Sequence, residues 1–113
     1  MSYTDFAKEA RSYSSTAAAE TRRAERDAMA AAQYYTRAAN SRHQAADLTS
    51  RPHLWDPEFE YTPRHLEATA ASWAKLADCY LRSSFRSTAS AAFYRDLAAR
   101  YRANRDRYQD KEI

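Results

Sequence analysis

The chain has 113 residues, no glycine, and a formal net charge of +3 from 18 basic and 15 acidic residues. Without glycine it cannot form the phosphate-cradling loops, nucleophile elbows or dinucleotide fingerprints of many enzymes. Valine is absent and 25 residues are alanine, so helix formers dominate over strand formers. The composition predicts an alanine-rich, all-α protein that is not an enzyme and uses no cofactor.

Cysteine content and hydropathy indicate the cellular compartment in which the protein is expected. A single cysteine, Cys79, excludes an intrachain disulfide and suits a reducing environment. Residues 1–30 lack the apolar core of a signal peptide, and no apolar run reaches transmembrane length. We therefore expect a cytoplasmic protein without membrane association. Because Cys79 falls inside a predicted helix beside an aromatic row, we expect its side chain to be buried and structural.

The first half of the chain repeats every seven residues. Its alanine row comprises Ala10, Ala17, Ala24, Ala31, Ala38 and Ala45. Its mixed row comprises Phe6, Tyr13, Glu20, Asp27, Tyr34, Ser41 and Leu48. Such a repeat predicts one helix, over about residues 3–48, that packs lengthwise on another helix. Ser2 and Asp5 have the spacing of a capping box at its start.

The second half has two interleaved rows and a clear starting signal, with Thr62 as N-cap and Pro63 as the first helical residue. The aromatic row comprises Leu66, Trp73, Tyr80, Ser87, Tyr94, Tyr101 and Tyr108. The small row comprises Ala70, Ala77, Ser84, Ala91, Ala98 and Arg105. These rows predict a helix over about 63–109 that forms an antiparallel hairpin with the first. A break near 83–86, or a tetratricopeptide-like helix pair over 73–97, is the alternative.

A lone hairpin of two long helices leaves one flank of each helix exposed. The apolar residues expected there are Ala28, Ala32, Tyr35, Ala39 and Ala46 on the first helix, and Leu76, Phe93 and Leu97 on the second. Two hairpins would bury these flanks by forming a four-helix bundle. The sequence therefore predicts a single helical domain that forms a homodimer or binds another protein.

The connection, over about 49–62, holds two of the three prolines, Pro52 and Pro57, together with aromatic and acidic residues. Six of its residues are candidates for binding a protein partner: Trp55, Phe59, Tyr61, Asp56, Glu58 and Glu60. A metal site that uses His53 and His65 with the three carboxylates is an alternative, but the spacing fits no known ligand pattern. We favour an acidic turn whose aromatic rings cover the helix ends, and we predict no metal.

The C-terminal third is basic. Its arginines follow two sides of the predicted helix, with Arg86, Arg100 and Arg107 on one side and Arg95 and Arg102 on the other. The simpler interpretation is that their stems cover the edges of the helix contact while their charges pair with acids on the other helix. The alternative is a nucleic-acid-binding dimer whose arginines contact phosphates without sequence preference, with tyrosines that stack on bases.

In outline the chain resembles the small WxG-type helical hairpins that type VII secretion systems export. Trp55 lies in the connection, and Tyr108 precedes Glu112 with the spacing of that family's C-terminal signal. Pro57 stands where the family's motif has glycine. The resemblance implies two antiparallel helices that assemble as a dimer for export.

These observations rank the functions. The leading hypothesis is a non-enzymatic helical module for protein–protein interaction, such as a small accessory or inhibitor protein of a bacterial or phage system. A nucleic-acid-binding dimer ranks second, and a secreted WxG-like hairpin third.

Overall fold

A computed structural model describes residues 2–51 and 62–112, with side chains up to Tyr108. It contains helix α1, Tyr3–Ser50, and helix α2, Pro63–Glu112. The two helices pack against each other in opposite directions, and the described residues include no strand. The predicted all-α helical hairpin is therefore confirmed.

Both helices begin at the predicted caps. The backbone N–H of Ser2 donates to Asp5 Oδ2 at 3.2 Å, and the N–H of Asp5 donates to Ser2 Oγ at 3.3 Å. The first of these hydrogen bonds is the main reason why the pKa of Asp5 lies below its ordinary value. At α2, Thr62 Oγ1 accepts from the N–H of His65 at 3.1 Å, and Pro63 takes the first position. These bonds satisfy amide groups that a helix start leaves without intrahelical partners.

Helix α2 runs without interruption through the serine-rich stretch 83–86. The break considered there is absent, and the tetratricopeptide interpretation is wrong because it needs a turn within 73–97. The hydroxyls in this stretch bond without opening the helix. Thr88 Oγ1 donates to the carbonyl of Ser84 at 2.9 Å, and Ser84 itself is buried against α1.

The chain divides into two compact units, each made of one segment from each helix. The terminal unit comprises Met1–Arg26 and Ser83–Ile113, and the central unit comprises Asp27–Arg82. In the terminal unit the buried residues are Ala10, Ala17, Ala24, Ser84, Ser87, Ala91 and Ala98. In the central unit they are Ala31, Ala38, Ala45, Leu66, Ala70 and Ala77. The alanine row and most of the small row thus form the helix contact, as predicted.

Aromatic rings from both helices stack beside these alanines in each unit. In the terminal unit, Tyr13 lies 6.0 Å from Tyr94 and 5.3 Å from Tyr101 between ring centroids. In the central unit, Tyr34 lies 5.4 Å from Trp73 and 5.5 Å from Tyr80, with nearly parallel rings. All six rings are only half-buried. The aromatic stacks therefore border the helix contact, and small residues fill its centre.

A hydrogen bond within the terminal unit shows how closely the helices approach. The buried Ser84 Oγ donates to the backbone carbonyl of Ala24 at 2.8 Å. A serine side chain is short, so α1 and α2 must lie close together at this point. Small residues on both sides permit that approach.

Replacing Ser84 by alanine should lower the free energy of unfolding by about 1 kcal/mol, the usual value of a lost hydrogen bond. The matched control is Ser72→Ala, since Ser72 is exposed and bonds only within its own helix, to the carbonyl of Ala68. That control corrects for the better helix propensity of alanine. Urea unfolding followed by circular dichroism measures both variants. Equal stabilities would show that the bond to Ala24 contributes nothing.

Candidate interaction surfaces

The predicted partner-binding residues of the connection lie outside the described residues. They are Trp55, Phe59, Tyr61, Asp56, Glu58 and Glu60. Their role stays a prediction. Each of the two helical units has an exposed surface of distinct composition, one apolar and one basic.

The central unit has an alanine-rich flank on α1. It comprises Ala28, Ala32, Tyr35, Ala39 and Ala46, and we call it the alanine face. All five residues are exposed, as is the neighbouring Met29, which is 67% exposed. Residues 28–41 contain a single charged side chain, that of Arg37. A solvated helix surface is normally rich in charge, so this stretch has the composition of a contact surface.

Tyr35 fixes the edge of the alanine face. Its hydroxyl donates a hydrogen bond to Asp78 Oδ1 on α2. This bond is the main reason why the pKa of Tyr35 is raised, since the phenol must keep its proton to donate. The contact places the alanine face on the same side of the central unit as Asp78.

Of the flank residues predicted on α2, Leu76 belongs to the central unit but lies on a different side from the alanine face. Leu76 is exposed, but it precedes Asp78 by two residues and therefore projects from a different side of α2. Phe93 is exposed and Leu97 half-buried, and both belong to the terminal unit. Leu76 and Phe93 are therefore exposed as predicted, whereas Leu97 is half-buried.

Cys79 also departs from the prediction, because its side chain is exposed. It lies one residue before Tyr80, and in a helix that step turns the side chain about 100° away from the aromatic row. The thiol sulfur accepts a hydrogen bond from Arg82 Nη2 at 3.4 Å.

In the central unit, Arg37 covers the aromatic stack from the side of α1. Its guanidinium carbon lies 5.2 Å from the centroid of Tyr34 and 5.1 Å from that of Trp73. Both distances are within the range of cation–π attraction. The one charge of residues 28–41 is therefore engaged within its own unit.

The terminal unit carries the predicted arginines. Arg95 Nη2 donates to Thr21 Oγ1 at 3.2 Å, and Arg102 Nη2 donates to Ser14 Oγ. The expectation that these arginines pair with acids on the other helix is wrong for this pair, because α1 offers them hydroxyls. Their charges are therefore held in place without being neutralised by those contacts.

The second group of arginines lies on a separate side of α2. Arg86, Arg100 and Arg107 are all exposed, and Phe93 occupies the same row of seven-residue steps. We call these four residues the arginine row. Arg100 forms an exposed ion pair with Asp96 at 3.1 Å. Within the described part of the chain, Arg86 and Arg107 form no ion pair with a carboxylate.

Residues 2–51 and 62–112 contain no group of three or more histidine, cysteine or acidic residues that could hold a metal ion. Neither helix has an apolar stretch that would allow it to cross a bilayer.

Comparison with known proteins gives no lead to function. No family model, curated protein or solved structure matches the chain. Its function has to be inferred from the chemistry of the two surfaces.

Proposed function

We propose that the protein is a non-enzymatic helical interaction module that associates with a second copy through the alanine face of the central unit. The observation that carries this proposal is the composition of that face. It is exposed and apolar from Ala28 to Ala39, over about three helical turns, and the exposed Arg42 is the charge that follows before Ala46. Such a module acts by binding, as small accessory and inhibitor proteins do.

The extent of exposed surface supports association. The chain exposes 8317 Å². A compact monomer of 13.0 kDa is expected to expose about 6300 Å². The excess of about 2000 Å² per chain is larger than the roughly 800 Å² that each partner buries in a standard interface. No large side chain of the described residues is fully buried, so a partner would add much to the apolar core.

A second copy is the occupant that best fits the alanine face. Alanines spaced along one helix favour close approach of another helix with the same pattern, as α1 and α2 already show in each unit. A two-fold axis would place the face against itself, so that small residues meet small residues. Arg42 is the charge that the face carries between Ala39 and Ala46, so the face offers little charge with which to select a partner of opposite charge.

The test is the solution mass of the full chain by light scattering coupled to size exclusion. We expect twice 13.0 kDa at micromolar concentration, in both low and high salt, because the proposed contact is apolar. Ala32→Glu should weaken association about 100-fold, since the two-fold axis would bury two like charges. It should leave helix content unchanged, because Ala32 is exposed in the single chain.

The matched control is Ala19→Glu, which makes the same change at another exposed position of α1, in the terminal unit. It should remain a dimer. A monodisperse, stable monomer of the unmodified chain would overturn the proposal. Equal loss of the dimer in both variants would remove the alanine face as the contact.

A further inference from the structure

The arginine row combines exposed positive charge with an exposed ring. Its members are seven residues apart, so successive side chains leave α2 about 10 Å from one another. Phe93 is 60% exposed and lies between Arg86 and Arg100. A phenyl ring so exposed gains little from burial, and its position among arginines suggests a ligand with both anionic and flat apolar parts.

The charge around the row is poorly compensated. Residues 83–108 contain six arginines and two aspartates. Asp96 pairs with Arg100, and Asp106 pairs with Arg105. Both pairs are exposed, and such pairs are weak enough for a polyanion to replace. The side chains one turn from Arg86 and Arg107 on the described part of α2 include small residues such as Ala89 and Ala103, which leave access open.

Phe93 is better placed to stack on a ligand than the tyrosines. Tyr94 and Tyr101 are half-buried and already in contact with Tyr13. Phe93 touches Tyr94 at a centroid distance of 5.5 Å and an interplanar angle of 75°, an edge-on contact. One aromatic plane in the arginine row therefore remains available.

We propose that the arginine row binds single-stranded nucleic acid, with Arg86, Arg100 and Arg107 on phosphates and Phe93 stacked on a base. Stacking on an aromatic ring requires an unpaired base, which a duplex does not offer. Arginine contacts to phosphate carry no sequence preference, so binding is sequence-tolerant. This site is separate from the alanine face and does not depend on self-association.

The test measures fluorescence anisotropy of a labelled 20-nucleotide thymidine oligomer titrated with the full chain. Three phosphate contacts predict an affinity that falls about 20-fold between 50 and 200 mM salt. The triple variant R86Q/R100Q/R107Q should lose binding at 50 mM salt. The variant Phe93→Ala should bind about tenfold more weakly than the unmodified chain, at unchanged salt dependence.

The matched control is R11Q/R22Q/R26Q, which removes three exposed arginines from α1 in the same unit. It makes the same change in net charge. Its affinity for the oligomer should fall by no more than about threefold, because only the long-range electrostatic attraction is weakened. Circular dichroism confirms that each variant keeps its helix content.

Several outcomes would overturn the proposal. These are no binding at 50 mM salt, an equal loss of affinity in the two triple variants, and an unchanged affinity in Phe93→Ala. Equal affinity for a duplex of the same length would also overturn it, because stacking would then play no part. Binding to vesicles of anionic lipid without binding to the oligomer would assign the row to a membrane surface instead.

Discussion

Replacing Ala77 by leucine is expected to lower the free energy of unfolding by about 3 kcal/mol, at the upper end of the usual range for overpacking. Ala77 is fully buried in the contact between α1 and α2 of the central unit. Leucine adds three carbon atoms where the facing positions of α1 are alanines such as Ala31. Since small residues let the helices come close, the larger side chain must push them apart and separate Tyr34 from Trp73.

Ala68→Leu is the matched control for Ala77→Leu. Ala68 is an exposed alanine of the same helix and unit, so its replacement should change stability by no more than about 0.5 kcal/mol. Thermal unfolding and urea titration measure both variants. A native stability for Ala77→Leu would contradict the close packing of the central unit.

Replacing Trp73 by alanine is expected to lower the free energy of unfolding by about 2 kcal/mol. Full burial of a tryptophan would give about 3–5 kcal/mol, and Trp73 is half-buried. The substitution removes the ring that stacks on Tyr34 and half of the aromatic surface beneath Arg37. Phe85→Ala is the comparison, because Phe85 is 64% exposed and should tolerate the change with little effect.

A double-mutant cycle isolates the contribution of Arg37 to this stack. Arg37→Ala, Trp73→Ala and the double variant should give a coupling energy of about 0.5–1 kcal/mol. The stability of each variant is measured by urea unfolding at two salt concentrations. Strictly additive effects would show that the guanidinium lies over the rings without stabilising them.

Much of the fold was predictable because it follows from periodicity. Alanine at every seventh position of α1 has no plausible role except close helix contact, and the structure buries all six residues. The caps at Ser2 and Thr62 were equally predictable, since they depend only on local spacing. The continuity of α2 through Ser84 followed from the unbroken seven-residue phase, which outweighed the low helix propensity of serine.

The surfaces were less predictable. Sequence spacing shows which residues share one side of a helix, but it does not show which sides of two helices meet. The contact between Tyr35 and Asp78 decides that question for the alanine face, and no pattern in the sequence indicates it. Thr21 and Ser14 were likewise not foreseen as partners of Arg95 and Arg102. Arginines on the flank of a helix contact usually suggest carboxylate partners, and only the packed structure shows hydroxyls instead.

Phe93 illustrates the same limit. Its seven-residue spacing from Arg86 and Arg100 is present in the sequence, but the sequence interpretation assigned base stacking to the tyrosines. The structure shows those tyrosines engaged with Tyr13 and leaves the ring of Phe93 exposed.

The repeating alanines do not define how α1 and α2 are aligned lengthwise, and the residues that interrupt the repeat do. Sliding α1 past α2 by seven residues would again place alanine against small residues, so the contact rows alone do not define the register. Tyr13 stacks on Tyr94, so Glu20, seven residues later on α1, lies level with Ser87, seven residues earlier on the antiparallel α2. A slip would force Glu20 beside a tyrosine and separate Ser84 from the carbonyl of Ala24. These few interruptions of the repeat therefore select one alignment of the hairpin, as a single polar residue does in a coiled coil.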